Sequence, residues 1–142
     1  MSTLHGAIDA SASALNAQRS RIEVAVSNIA NAESTRGPDG QPYRRRDVVL
    51  ATEPMETFDQ ALGRAGAVGV RVAGVVEDTE PFRRHYEPSH PDADAQGFVA
   101  MPNVDVPEEM VNMLGAARAY QANLTAIGLI RDTIQKSLEL GR

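Results

Sequence analysis

From the N-terminus onward, Leu4, Ile8, Ser11, Leu15, Gln18, Ile22, Ala25 and Ile29 follow one another at spacings of four and three, the step pattern of a helix that buries one face as a heptad seam. All but Ser11 and Gln18 are apolar. Asn16, Arg19, Ser20, Glu23 and Asn28 lie between them and mark the opposite, polar face. The pattern predicts a helix of about 28 residues that ends near Asn31, with Gly37-Pro38 preventing its continuation.

The C-terminal third repeats the pattern with a wholly apolar seam: Met110, Met113, Ala117, Tyr120, Leu124, Ile127, Ile130 and Ile134. Val106 precedes a proline and is pushed toward extended backbone, Pro107 suits the first helical position, and Glu108 and Glu109 favour the positive end of the helix dipole. A helix from Pro107 to about Leu140, closed by Gly141, follows. A second stripe of small residues, Gly115, Ala116, Ala119, Ala122 and Ala126, would let a further helix approach closely.

Between the helices the texture changes, and proline and glycine punctuate the chain from Gly37 to Asp105. YRRRDVVLAT, VGVRVAGVVED and FVAMPNV read as three short extended pieces. METFDQALGRAG, at 55–66, reads as a loop or short helical turn. The expected fold class is α+β: long N- and C-terminal helices paired as a coiled-coil-like inner domain, with a small β-rich middle region. The boundaries fall at 1–34, 35–105 and 106–142.

Helices of about 28 and about 34 residues span about 42 and about 51 Å, whereas a compact globule of this chain length has a diameter of roughly 37 Å. Two such helices alone leave much of each apolar face uncovered. The chain is therefore expected to be completed by copies of itself or by relatives.

Composition narrows the function further. At 142 residues one folding unit is expected, and 14 basic against 19 acidic side chains give a net charge of −5, which disfavours nucleic acid or an anionic membrane as partner. The absence of cysteine excludes disulfides, thiolate chemistry and cysteine-ligated zinc. Three Phe, three Tyr and no Trp argue against a wide ligand pocket or a base-stacking surface. No apolar run is long enough to span a bilayer, and the N-terminus lacks the layout of a cleavable secretory signal.

The one stretch that suggests a metal is HPDADAQGFVAMPNV, at 90–104. Asp92, Asp94 and Gln96-Gly97 mimic the start of a calcium loop, but the glutamate needed at its twelfth position is Asn103, and Pro102 interrupts it. The alternative of a calcium-binding module using the loop 92–103 is thereby weakened, and a polar turn is expected, its aspartates meeting solvent or a neighbour's arginines. His85 and His90 with Asp92 and Asp94 have no fixed geometry in these proline-rich flanks, and His5 stands alone. A small hydrolase would need one of these histidines beside a nucleophile, yet no GxSxG elbow or SxxK pair is present. No catalytic, cofactor-binding or metal-binding residue is expected. Arg44, Arg45 and Arg46 are better suited to pairing with carboxylates of a neighbour than to reading phosphates.

SNIANAEST, at 27–35, resembles the SxxxANxxT motif near the end of the N-terminal helix in axial proteins of the bacterial flagellum, the rod, hook and hook-associated family. TRGPDGQPYRRRDVV at 35–49, PFRRHYEPSHPDADAQGFVAMPNVDVPEEMVNM at 81–113 and ARAYQAN at 117–123 extend the resemblance over nearly the whole chain and direct it to the proximal rod branch. Hook and distal rod members place a PGY-like turn directly after the motif; here Gly37-Pro38-Asp39-Gly40-Gln41 intervenes. The segment 55–70 matches least, and the role of the loop 53–67 stays open.

The resemblance implies an elongated protomer of a helical tube. It would be a structural subunit of the drive shaft that transmits motor torque and encloses the export channel, needed for motility, with no enzymatic activity and no cofactor. The implied partners are itself, other proximal and distal rod proteins, the basal-body adaptor to the MS ring and, during secretion, the flagellar type III export apparatus. The implied location is the rod of the basal body, crossing the periplasm, reached without a cleaved signal peptide. Another axial protein of the rod family is the alternative.

The residues carrying the motif are Ser27, Ala30, Asn31, Thr35, Pro42, Tyr43, Arg44, Pro91, Asp92, Gly97, Pro102, Asn103, Glu109, Tyr120 and Asn123. The assembly seam is expected at Leu4, Ile8, Leu15, Ile22 and Ile29 on the first helix. On the second it is expected at Met110, Met113, Ala117, Tyr120, Leu124, Ile127, Ile130 and Ile134. Asn28 and Asn31 either cap the first helix or reach a neighbouring chain.

Overall fold

In the computed structural model, which describes residues 2–54 and 68–140, the helical periodicity becomes two long helices: α1 at Ser2–Ala30 and α2 at Val106–Leu140. Among the described residues four strands lie between them: β1 at Arg46–Pro54, β2 at Val68–Glu77, β3 at Arg83–Tyr86 and β4 at Phe98–Met101. The architecture is α+β. The expected turn at 55–66 and the closure by Gly141 lie outside the described residues.

The α1 terminus is closed locally. The Asn31 side-chain amide donates to the Ser27 carbonyl at 2.8 Å, supplying a partner for one of the carbonyls that a helix end leaves open. At the start of α2 the Asp105 carboxylate accepts the Glu108 N–H at 3.2 Å, an N-cap, and Glu108 and Glu109 occupy the first turn.

β1 pairs with β2 and β3 with β4, forming two separate two-stranded sheets. β3 and β4 run antiparallel, with Arg83 opposite Met101 and Tyr86 opposite Phe98. The pattern of apolar residues does not predict β3, because Arg-Arg-His-Tyr has no apolar alternation and all four residues are exposed. Its pairing comes from the connecting loop instead. There Asp94 Oδ1 accepts the N–H groups of Gln96 and Phe98 at 2.8 and 2.9 Å, an Asx-type turn, and Gly97 adopts φ 80°. A Cβ at Gly97 would lie 2.9 Å from the Tyr86 ring and 3.1 Å from Pro88. The glycine is therefore required for both conformation and space.

The chain divides into two compact units. One holds the described residues of the segments up to Ser20, of Val49–Gly74 and from Gly115 onward; the other holds Arg21–Val48 and Val75–Leu114. In the first, Ser13 Oγ accepts the Val70 N–H at 3.0 Å and ties β2 to α1, while Ala17 and Ala116 are buried. In the second, the largest fully buried side chains are Val99, Val104, Pro102 and Asn28. A polar residue thus ranks with the apolar centre, and its partners define the candidate site.

Candidate functional site

Asn28 lies on α1, four residues before Ala32, and the chain returns across it at Tyr43–Arg46. All of its hydrogen-bonding capacity is used. Its Oδ1 accepts the Tyr43 hydroxyl at 2.9 Å and the Arg46 N–H at 3.0 Å, and its Nδ2 donates to the Arg46 carbonyl at 2.8 Å and to Glu109 Oε2 at 2.9 Å. An amide side chain offers two donors and two acceptor sites, so none is left over. The expectation that Asn28 belongs to the polar, outward face is corrected: it is fully buried, because the returning chain supplies backbone partners that periodicity along α1 does not reveal.

Glu109, 2% exposed, stands at the start of α2 and carries the tie onward. Its Oε1 accepts Arg45 Nε at 2.7 Å, and Arg45 Nη1 reaches Asp78 Oδ2 at 3.3 Å. The Arg45 backbone is held as well, with its N–H on Asn103 Oδ1 at 2.9 Å and its carbonyl accepting the Asp78 N–H at 2.8 Å. Burial by itself would lower the Arg45 pKa, but the hydrogen bond and charge of Glu109, with Asp47 and Asp78, outweigh it and raise the value. The Asp78 carboxyl is held below its ordinary range, first by the Glu80 N–H and then by Arg45. A buried charge stripped of its partner is expensive, roughly 3–5 kcal/mol, so these groups act as one unit joining the end of α1, the start of β1, the end of β2 and the start of α2.

A second cluster fixes the segment after α1. Thr35 donates its hydroxyl to Asp92 Oδ2 at 2.9 Å, and Arg36 pairs with Asp92 Oδ1 at 2.7 Å. The Asp92 N–H in turn donates to His90 Nδ1 at 3.1 Å. Asp94 accepts from Arg84 at 2.8 Å besides its turn bonds, and the Phe98 N–H, followed by Gln96 and Arg84, keeps its pKa low. Both aspartates of the calcium-like stretch are thus engaged by arginines of their own chain. Among the described residues no group of three or more His, Cys, Asp or Glu is arranged to hold a metal ion.

The arginine run also has partners within the chain. Arg44 lies 4.4 Å from the Phe82 ring centroid and donates to the Asp78 carbonyl. Arg45 joins Glu109, and Arg46 lies over Tyr43 and approaches Glu77 at 3.5 Å. Residues carrying the motif fall into these clusters: Ser27, Asn31, Tyr43, Asn103 and Glu109 in or beside the first, Thr35 and Asp92 in the second, Gly97 at the hairpin. Pro102 is buried beside Asn103, whereas Ala30 and Pro91 are exposed and Pro42 is half-buried. Asn123 bonds back to the Ala119 carbonyl of α2. Asn28 was expected to cap α1 or reach a neighbour and Arg45 to pair with carboxylates, but their joint tie to Glu109 was not expected, nor was Asp78.

On α1 the expected seam residues Leu4, Ile8, Leu15, Ile22 and Ile29 are all half-buried. On α2 the seam separates into two heptad rows. Met113, Tyr120, Ile127 and Ile134 are half-buried, as is Ile130, but Met110, Ala117 and Leu124 are exposed, Met110 at 54% and Leu124 at 47%. The inward face is centred on Glu109, Ala116, Asn123 and Ile130, a rotation of roughly 70° from the apolar seam at 100° per residue. At the start of this face Glu109 reaches Asn28 and Arg45. With Val111, Leu114 and Leu129 also exposed, α2 presents more apolar surface than a lone soluble helix normally leaves open.

Comparison with known proteins decides what such a chain is. Residues 8–38 match the family model described as "Flagella basal body rod protein", and residues 95–140 match "Flagellar basal body rod FlgEFG protein C-terminal". The flagellar basal-body rod protein FlgC of Salmonella typhimurium is 48% identical over 94% of this chain and 95% of its own length. The proteins of that name from Bacillus subtilis and Borreliella burgdorferi are 40% and 37% identical, covering 100% of both chains and 96% and 97% respectively. The chain belongs to the flagellar basal-body rod protein family. This rod-family protein is a structural subunit, not an enzyme, and membership implies assembly with other rod components. No helix among its described residues is long and apolar enough to cross a membrane.

Proposed function

We propose that this chain is laid into the proximal rod, where α1 and α2 form the inner tube and the exposed row of α2 makes the subunit contacts. The observation that carries this reading is the row Met110, Leu114, Ala117 and Leu124, which shares one side of α2 and stays exposed while the inward side is closed by the Glu109 tie. Covering a large apolar side chain contributes roughly 1.5–3 kcal/mol, so a few such positions per interface suffice to drive ordered stacking.

In this reading the neighbours are further copies, the other proximal and distal rod proteins and the adaptor to the MS ring. The chain reaches its place through the flagellar type III export apparatus without a cleaved signal peptide, and once assembled it transmits torque around the export channel. The buried tie gives each subunit a fixed geometry between its helix ends and its β segments, which a load-bearing part needs.

The experiment is incorporation. An epitope-tagged chain expressed in a strain lacking its own copy restores swimming and co-purifies with detergent-extracted basal bodies, and site-directed crosslinks from Leu114 trap neighbouring rod subunits. Recovery of the tagged chain only outside basal bodies would overturn the proposal.

A further inference from the structure

One groove is used by none of these contacts. It measures about 530 Å³ and lies beside the tie, lined by residues of the Gly37–Gln41 turn and by Tyr43, Arg44 and Arg46, a size within the roughly 300–1,000 Å³ range of ligand-binding clefts. Arg36, Arg44 and Arg46 line it, against Asp39 and Glu77, on a chain whose net charge is −5. Positive charge is therefore concentrated where the molecule as a whole is negative.

The three guanidinium groups retain donors. A guanidinium presents five N–H donors; Arg36, with its side chain 68% exposed, spends one on Asp92, and Arg46 spends one on Glu77 at 3.5 Å with both side chains about half exposed. Arg44 and Arg46 are held in orientation by the rings of Phe82 and Tyr43, and such fixed forks suit bidentate capture of carboxylates. The wall is preformed as well. The Gly37 N–H donates to the Gln41 carbonyl at 2.6 Å and the Gly40 N–H to the Gly37 carbonyl at 3.0 Å, so little ordering remains to oppose binding.

We propose that this groove docks an extended, acidic segment of a partner protein, with at least two carboxylates reaching Arg36 and Arg46. Pro38, Pro42 and Tyr43 supply an apolar floor for the stems of glutamate side chains. Asp39 and Glu77 set a spacing between the cations and oppose a uniformly charged polyanion, which is why a peptide is favoured over a phosphate backbone. Under the rod reading that partner is a neighbouring subunit, but the groove and its test do not depend on that placement.

Fluorescence anisotropy of a fluorescein-labelled peptide of alternating glutamate and alanine, whose carboxylates are spaced apart, against the purified full chain tests the site. Saturable binding that weakens at least tenfold in the Arg36→Gln/Arg46→Gln variant, and less than twofold in Arg131→Gln, is the expected result; circular dichroism checks that the variants keep their helices. Absence of saturable binding, equal loss in Arg131→Gln, or tighter binding of inorganic polyphosphate at the same arginines would overturn the proposal. The tagged wild-type chain is followed into basal bodies in parallel, so an empty groove in an incorporated chain separates failure of this inference from failure of the rod reading.

Discussion

Asn28 Nδ2 donates to Glu109 Oε2 at 2.9 Å across 81 positions of sequence, and both residues are buried. The bond joins the end of the first helix to the start of the second. Replacing Asn28 by alanine leaves the Tyr43 hydroxyl, a carboxylate oxygen, a backbone carbonyl and a backbone N–H without their partner, and at the cost of buried unsatisfied groups the loss is about 3 kcal/mol. Urea titration followed by helical circular dichroism reads it, and Asn28→Asp is expected to be more damaging because it sets a second carboxylate against Glu109.

The Arg45–Glu109 pair gives a second prediction. Arg45→Met strands the Glu109 charge and is expected to destabilise by roughly 3–5 kcal/mol. In Arg45→Met/Glu109→Gln no net charge is left buried, so the double variant is expected to lose less than the sum of the two single changes. A double-mutant cycle on the urea midpoints checks this; strict additivity would show that the two groups do not act together.

Gly97 and Gly40 both adopt positive φ, 80° and 77°, yet only Gly97 has no room for a Cβ. Gly97→Ala is expected to cost about 2–3 kcal/mol, at the upper end of the range for backbone strain, and Gly40→Ala about 1 kcal/mol. Thermal melts of the two variants, compared side by side, distinguish conformational cost from steric cost.

Leu124 and Ile127 separate folding from assembly. Leu124 is exposed and Ile127 half-buried, so Leu124→Asp is expected to leave isolated-chain stability within about 0.5 kcal/mol while abolishing incorporation and swimming. Ile127→Asp is expected to lower stability as well. Export of both is retained, read from culture supernatants; normal motility of Leu124→Asp would remove that row from the subunit interface.

Acid sensitivity follows from Asp78, whose depressed pKa arises from the Glu80 N–H and Arg45. Its ionised form is favoured by folding, so its contribution is fully present above the ordinary carboxylate value of about 3.9 and is lost as pH falls through the lower folded value. Asp78→Asn is therefore expected to be less stable than the parent at neutral pH, with the difference shrinking in acid. Urea midpoints from pH 7 down to pH 3 measure this convergence.

Periodicity alone placed both helices, because an apolar step of three and four has no other regular solution over so long a run. It also led to β1, β2 and β4, whose valines and aromatics mark extended chain. It did not lead to β3, since Arg83–Tyr86 pair through the turn chemistry of Asp94 and Gly97, and their side chains carry no burial signal.

The family, too, was legible in local motifs, and the full-length relatives agree with it. The duties of the motif residues were not. Whether Asn28 and Asn31 capped a helix or met a neighbour, and whether Arg45 faced another subunit, depended on which distant segments meet. Asn31 closes its own helix, whereas Asn28 and Arg45 bind Glu109.

What the sequence determined by itself is the set of elements and the family, because both are written in short-range pattern. What only the tertiary structure decided is which residues distant segments bury together. The heptad pattern marked Met110, Ala117 and Leu124 for assembly without saying which residues the chain itself buries; Glu109 is buried against Asn28 and Arg45, while Met110, Ala117 and Leu124 stay exposed. A buried charge has few places where its partners can meet it, whereas an apolar side chain accepts many, so the polar tie fixes the geometry.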